Sequence, residues 1–195
     1  LANEGKISSQ ILADFSAIIQ SPSLYQLLKK WLSRTPVNGS FSGEDDDEAI
    51  ISSYVDSHLS AMNEHSEMVI SHFESIGHGD ESTLRGRLNK SVMSAEEFLR
   101  PDGVVDRSRV GLLFIESYRE LPLLSWPRVL IDSFVEMEES ILLFRNSHAR
   151  MVERMIGRRM GTGGSSGVDY LDATLKYRIF VDLWTVRTIL VRRDL

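Results

Sequence analysis

The sequence predicts an all-α protein. Apolar residues recur at three- and four-residue steps through nearly the whole chain, and prolines mark where those runs start and stop. No stretch alternates with the period of two that a half-buried strand needs. With 195 residues, 42% of them apolar, the chain can bury one sizeable core without disulfides or structural metal, so a single domain over residues 1–195 is expected.

Taken in order, Ile7, Ile11, Leu12, Phe15, Ile18 and Ile19 form the first apolar stripe. Ser21-Pro22 reads as an N-cap followed by a proline at the first helical position. Leu24, Leu27, Leu28, Trp31 and Leu32 form the second stripe, which Thr35-Pro36 stops. The acidic run Glu44 to Glu48 suits the positive end of a helix dipole. It opens one long helix over about 49–73, with Ile50, Ile51, Tyr54, Val55, Leu59, Met62, Val69 and Phe73 on its stripe. Residues 76–106 are rich in Gly, Asp, Ser and Arg and contain Pro101-Asp102-Gly103. They read as a loop-rich insertion with short helices. Arg109 to Glu120 is helical. Ser125-Trp126-Pro127 then opens a helix running to about Ile156, long enough to be the central helix of a bundle. After a glycine-rich stretch, two short helices close the chain, near Val168–Leu175 and Val181–Leu190.

A net charge of −6 and a pI of about 5.4 argue against a nucleic-acid or polyanion binder. No apolar run approaches the roughly 18 residues of a membrane span, and no basic-then-apolar leader is present. A cytoplasmic protein with no membrane partner is expected. The chain opens on Leu1, so it is expected to be processed or to be a piece of something longer. The absence of cysteine removes disulfides, thiolate-ligated zinc, iron–sulfur clusters, thiolate-ligated haem and covalent haem attachment. A metal or haem would have to be held by His, carboxylate, Met or Tyr.

Five histidines are candidates. His58, His65 and His72 are spaced by seven, about 10.5 Å between neighbours on a helix. That is too far to share a metal, so they read as surface or interface histidines. His78 falls in a loop. His148 lies on an apolar helical face, with Phe144 one turn before it and Met151 and Val152 one turn after. On its own that is the pattern of a core histidine with a hydrogen-bond partner. Its setting adds a second reading, because arginines 145, 150, 154, 158 and 159 cluster around it in an acidic protein. Haem needs an axial nitrogen in an apolar slot and cations for its propionates. The arginines equally suit the negative end of a helix dipole. The run Gly161-Thr162-Gly163-Gly164-Ser165-Ser166-Gly167 is either a flexible linker or an anion-binding turn of successive backbone amides. It is not a P-loop, since no Gly-Lys-Ser/Thr follows.

Three strings make a wider resemblance. They are Phe144-Arg-Asn-Ser-His148-Ala-Arg-Met-Val-Glu-Arg-Met-Ile-Gly157, then Gly161-Thr-Gly-Gly-Ser-Ser-Gly167-Val-Asp-Tyr170-Leu171, then Phe180-Val-Asp-Leu-Trp184. In this order and spacing they resemble the C-terminal signature of tryptophan 2,3-dioxygenases. Leu27-Leu28-Lys-Lys-Trp31-Leu-Ser-Arg-Thr-Pro36 is similar to a family helix end, and the likeness is weakest between residues 75 and 108. The resemblance implies an all-helical bundle with a non-covalent haem b in its core and His148 as proximal ligand of the iron. It implies that Phe144, standing where the family usually has Trp, packs near that ligand, and that Met151 and Val152 face the haem. Thr162 would touch the ammonium and carboxylate of the substrate, Gly161 and Gly163 would sit beside it, and Gly164 and Ser165 would line the same edge of the pocket.

The activity implied is O₂-dependent opening of the indole ring of L-tryptophan to N-formylkynurenine, in a homo-oligomer (tetramer or dimer). The family's distal H-Q-x-x-E-L-W-type helix and carboxylate-gripping arginine are missing from the sequence. An N-terminal companion segment or chain is therefore expected to complete the pocket. Two other readings stay open: a haem mono-oxygenase of tyrosine or a tryptophan derivative on the same scaffold, and a non-catalytic haem-binding helical subunit.

Overall fold

The computed structural model describes residues 9–40, 47–76, 80–157 and 167–191, and all regular structure among them is helical. The helices are α1 (Ser9–Gln20), α2 (Leu24–Leu32), α3 (Asp47–Ile76), α4 (Glu81–Leu99), α5 (Arg107–Ser117), α6 (Ser125–Ile156), α7 (Val168–Thr174) and α8 (Val181–Thr185), with short 3₁₀ turns between several of them.

Local chemistry sets the helix starts. The cap of α2 is Ser23, two residues beyond the expected Ser21: its hydroxyl accepts from the Gln26 N–H, and the Gln26 side chain accepts from the Ser23 N–H. Asp80 and Asp106 cap α4 and α5 through N–H groups of Ser82 and of Ser108 and Arg109.

The segment 76–106 is not a loop-rich insertion. Most of it is the 19-residue α4, which lies antiparallel along α3. Arg85 pairs with Glu67 at 3.1 Å near one end, and Arg100 pairs with Asp56 at 2.7 Å near the other. The stripe that makes it a helix is Leu84, Leu88, Val92, Ala95 and Leu99, of which Ala95 and Leu99 are fully buried. Glycine and serine between these positions dilute the pattern without breaking its period.

The central helix is α5 rather than α6. Val110, Gly111, Leu112, Leu113, Ile115 and Glu116 are all buried, as expected of a helix surrounded on every side. It packs into a core built from Leu28 and Leu32 of α2, Tyr54, Val55 and Leu59 of α3, Leu99 of α4, Ile131 and Val135 of α6, and Phe180, Leu183 and Ile189 of the C-terminal segment. The long α6 adds only its N-terminal half and Ala149 to the buried set.

Close approach of α2 to α5 depends on Gly111. A Cβ there would lie 2.3 Å from the Leu32 carbonyl oxygen and 3.0 Å from the Thr35 side chain. Backbone cannot step aside as a flexible side chain can, so Gly111→Ala is expected to cost about 3 kcal/mol. Equilibrium urea unfolding would show it as a lower midpoint with little change in slope.

Candidate functional site

In its C-terminal half α6 has two working faces. One grips the chain that follows it. Ala149 and Val168 are fully buried, and the Arg145 guanidinium donates to the carbonyls of Thr174 (3.3 Å), the last residue of α7, and Tyr177 (3.0 Å), just beyond it. Arg150 pairs with Asp172 of α7 and with Glu153 of its own helix. These contacts run antiparallel and commit both arginines to the protein itself. Arg154 is exposed, and positions 158 and 159 lie outside the described residues.

The other face carries His148. Phe144, Met151 and Met155 share it and are 69%, 51% and 75% exposed. His148 and Val152 are half-buried between them. The Phe144 ring stacks on the imidazole, centroids 6.0 Å apart and planes 11° from parallel. Neither nitrogen of His148 has a hydrogen-bond partner among the described residues. The result is an available imidazole in an exposed apolar stripe. Gly161, Thr162, Gly163, Gly164 and Ser165 lie outside the described residues. The flanking Gly157 and Gly167 have φ values of 63° and 58°, where glycine is favoured.

The donor set fits haem. Among the described residues no three His, Asp or Glu side chains converge to hold a bare metal ion. One imidazole on an apolar face suits an iron whose remaining protein-independent ligands come from a porphyrin. His148, Phe144, Met151 and Val152 would hold the group.

His58 is not a surface histidine. It is fully buried in α3, and its Nε2 lies 2.9 Å from the Ile189 carbonyl oxygen. That contact ties α3 to the C-terminal segment. His65 and His72 are exposed, and His78 lies outside the described residues.

Two polar clusters tie the C-terminal segment to the bundle, and neither stands out in the sequence. Glu138 of α6 is 1% exposed. One carboxylate oxygen accepts from the N–H groups of Ile179 and Phe180 (3.2 Å for Phe180), and the other accepts from the Trp184 indole. Asp182 of α8 accepts from the Tyr25 hydroxyl at 2.7 Å and pairs with Arg109 at 3.2 Å. Lys29 joins this cluster through Asp106 at 3.1 Å. The signal for Glu138 was a carboxylate at an apolar-stripe position between Val135 and Leu142.

The second cluster makes stability depend on pH at both ends. Burial and the bond to Asp182 hold the Tyr25 phenol well above its ordinary 10.0. A folded value above the unfolded one means this contribution is complete below about pH 10 and falls away above it. Burial pushes the Asp106 carboxyl up, but the Ser108 hydroxyl, Lys29 and the Arg109 N–H together outweigh it and leave the group lowered. Its contribution is complete above about pH 4 and fades as acid titrates the folded carboxylate. Tyr25→Phe should flatten the alkaline limb of a stability–pH profile and cost about 1.5–3 kcal/mol at neutral pH. An unchanged alkaline limb would assign that limb to other groups.

Comparison with known proteins shows the family of the chain. The family "Tryptophan 2,3-dioxygenase" matches residues 12–190. The tryptophan 2,3-dioxygenase of Sorangium cellulosum is 44% identical over 191 residues, covering 90% of this chain and 45% of the relative. A tryptophan 2,3-dioxygenase-like protein of Xanthomonas campestris is 42% identical over 183 residues, covering 88% and 66%. The Aedes aegypti tryptophan 2,3-dioxygenase is 34% identical, covering 88% and 45%. The chain therefore spans between about half and two thirds of the length of these relatives. Among the described residues, no helix is long and apolar enough to cross a membrane. With the match running through α1 to α8 and including the His148 face, the chain belongs to the tryptophan 2,3-dioxygenase family.

Proposed function

We propose that this chain forms the proximal, haem-holding part of an O₂-dependent dioxygenase that opens the indole ring of L-tryptophan to N-formylkynurenine. The observation that carries the reading is His148: half-buried, without a hydrogen-bond partner among the described residues, and set in an exposed apolar stripe. A purely structural histidine looks like His58, buried and bonded.

Haem b, when bound, supplies the iron centre at which O₂ is activated. The chain's own part is to bind and exclude. His148 would ligate the iron, and Phe144, Met151 and Val152 would cover the porphyrin and keep water off it. Thr162, with Gly161 and Gly163, would hold the ammonium and carboxylate of the amino acid, and Gly164 and Ser165 would serve the haem, a role that rests on the family resemblance alone. The reaction adds both atoms of O₂ across the C2–C3 bond, one to each carbon as that bond breaks, so no external reductant is needed. The distal wall and the group that grips the substrate carboxylate come from a companion segment or chain. Assembly as a homo-oligomer, a tetramer or dimer, fits the apolar side chains left exposed on α1, where Ile11, Phe15 and Ile18 are 47%, 56% and 69% exposed.

The test is turnover of L-tryptophan under labelled O₂ by the haem-loaded protein with its companion present. A product carrying two labelled oxygen atoms supports the proposal. One labelled atom assigns a mono-oxygenase, and haem binding without turnover assigns a non-catalytic subunit.

A further inference from the structure

An imidazole that binds a metal must have its ring plane fixed, and the usual device is a hydrogen bond from its second nitrogen to a carboxylate or carbonyl. His58 has such a bond, to Ile189. His148 has none among the described residues. Two acidic side chains beyond it, Glu153 of α6 and Asp172 of α7, pair with Arg150 instead. The torsion about the bond to an imidazole ring is broad, so the ring would swing unless something else stopped it.

Phe144 is the aromatic neighbour of that ring. Its ring lies 6.0 Å from the imidazole with the planes 11° apart, an offset stack within the favoured range for aromatic pairs. The two residues are one turn apart on α6, so the helix itself sets their spacing. Phe144 is also 69% exposed, and it belongs to no part of the buried core. Burial in the fold therefore does not account for a phenyl ring at this position.

We infer that Phe144 is a positioning residue: stacked on His148, it fixes the imidazole plane and thereby sets how firmly His148 holds iron. The inference rests on the reading of His148 as the haem ligand, but the stack exists without haem and can be measured alone.

The experiment compares the full chain with Phe144→Leu, Phe144→Trp and His148→Ala variants. First, nuclear magnetic resonance of the haem-free protein with ring-labelled histidine should place the His148 ring protons upfield of those of exposed His65 and His72. Phe144→Leu should remove that difference, and its absence from the parent protein overturns the inference. Second, the haem-loaded ferrous proteins are compared by the iron–histidine stretching band and by haem transfer to an excess of an acceptor globin. Phe144→Leu should broaden or shift the band and speed transfer about two- to tenfold, the range an aromatic pair supports. Phe144→Trp should restore both. A band and transfer rate unchanged in Phe144→Leu, with the stack present in the haem-free protein, overturn the positioning role alone. If His148→Ala keeps the parent's band, the ligand assignment falls instead, and the inference falls with it.

Discussion

His148→Ala is expected to abolish specific haem uptake while leaving the helical fold in place. Even the outer partners of a metal ligand are worth 10–100-fold in affinity, so losing the proposed ligand itself should cost more than about 100-fold. Stability should barely move. His148 is half-buried and makes no hydrogen bond among the described residues, so its removal is a surface truncation worth within about 0.5 kcal/mol, plus the loss of one stack. His58→Ala should behave in the opposite way. It empties a fully buried site and leaves the Ile189 carbonyl unpaired, at a cost of about 2–4 kcal/mol. Haem titration followed by the Soret band, run beside urea unfolding, measures both quantities. Uptake indifferent to His148 would remove the haem reading. Equal destabilisation by the two substitutions would return His148 to a structural role.

The contrast between these histidines also shows what could be read from the chain and what could not. His58 and His148 both sit one turn from apolar neighbours, and period alone treats them alike. Their difference is made by Ile189, 131 residues away from His58, and no local pattern records such a contact. The all-helical class and the limits of α3 and α6 were legible because long amphipathic runs carry strong periodicity. The α4 segment was misread because serine, glycine and arginine dominate its composition, although Leu84, Leu88, Val92, Ala95 and Leu99 kept the helical step. The arginines around His148 were read as possible propionate partners. In the folded chain Arg145 donates to the carbonyls of Thr174 and Tyr177 and Arg150 pairs with Asp172, so both are committed to the segment that follows α6, a long-range arrangement no local pattern records. The central place of α5 was hidden for a different reason. A helix buried on all sides has no amphipathic stripe to read.

α6 therefore holds the site by dividing its surface. Glu138, Arg145, Ala149 and Arg150 fix the C-terminal segment, and this leaves Phe144, Met151 and Met155 exposed around the half-buried His148. Gripping the following chain with charged and small side chains allows the apolar ones to stay available for a flat ligand. The division also predicts separable failures, because each face can be damaged without touching the other.

The grip is most exposed to damage at Glu138. Its buried carboxylate is answered by two backbone N–H groups and one indole N–H, and Arg178 lies 4.5 Å over the ring of the same Trp184. Glu138→Ala would leave three donors without their acceptor, that of Phe180 fully buried and those of Ile179 and Trp184 partly so. A buried donor left unpaired costs about 1–3 kcal/mol, and disrupting a buried charge with its partners typically costs about 3–5 kcal/mol. We expect a loss near the upper end of that second range, a large part of the whole stability of a domain this size. Glu138→Gln separates charge from geometry. It keeps one acceptor oxygen but turns an amide N–H toward a donor, so it should recover only part of the loss. Trp184→Phe removes a single donor from a charged acceptor and should cost about 1.5–3 kcal/mol. Because Glu138 and Trp184 share that bond, the double variant should be less damaged than the sum of the two. Additive losses in the urea-unfolding cycle would mean that the carboxylate and the indole act independently, and that the C-terminal segment is held by its apolar contacts instead.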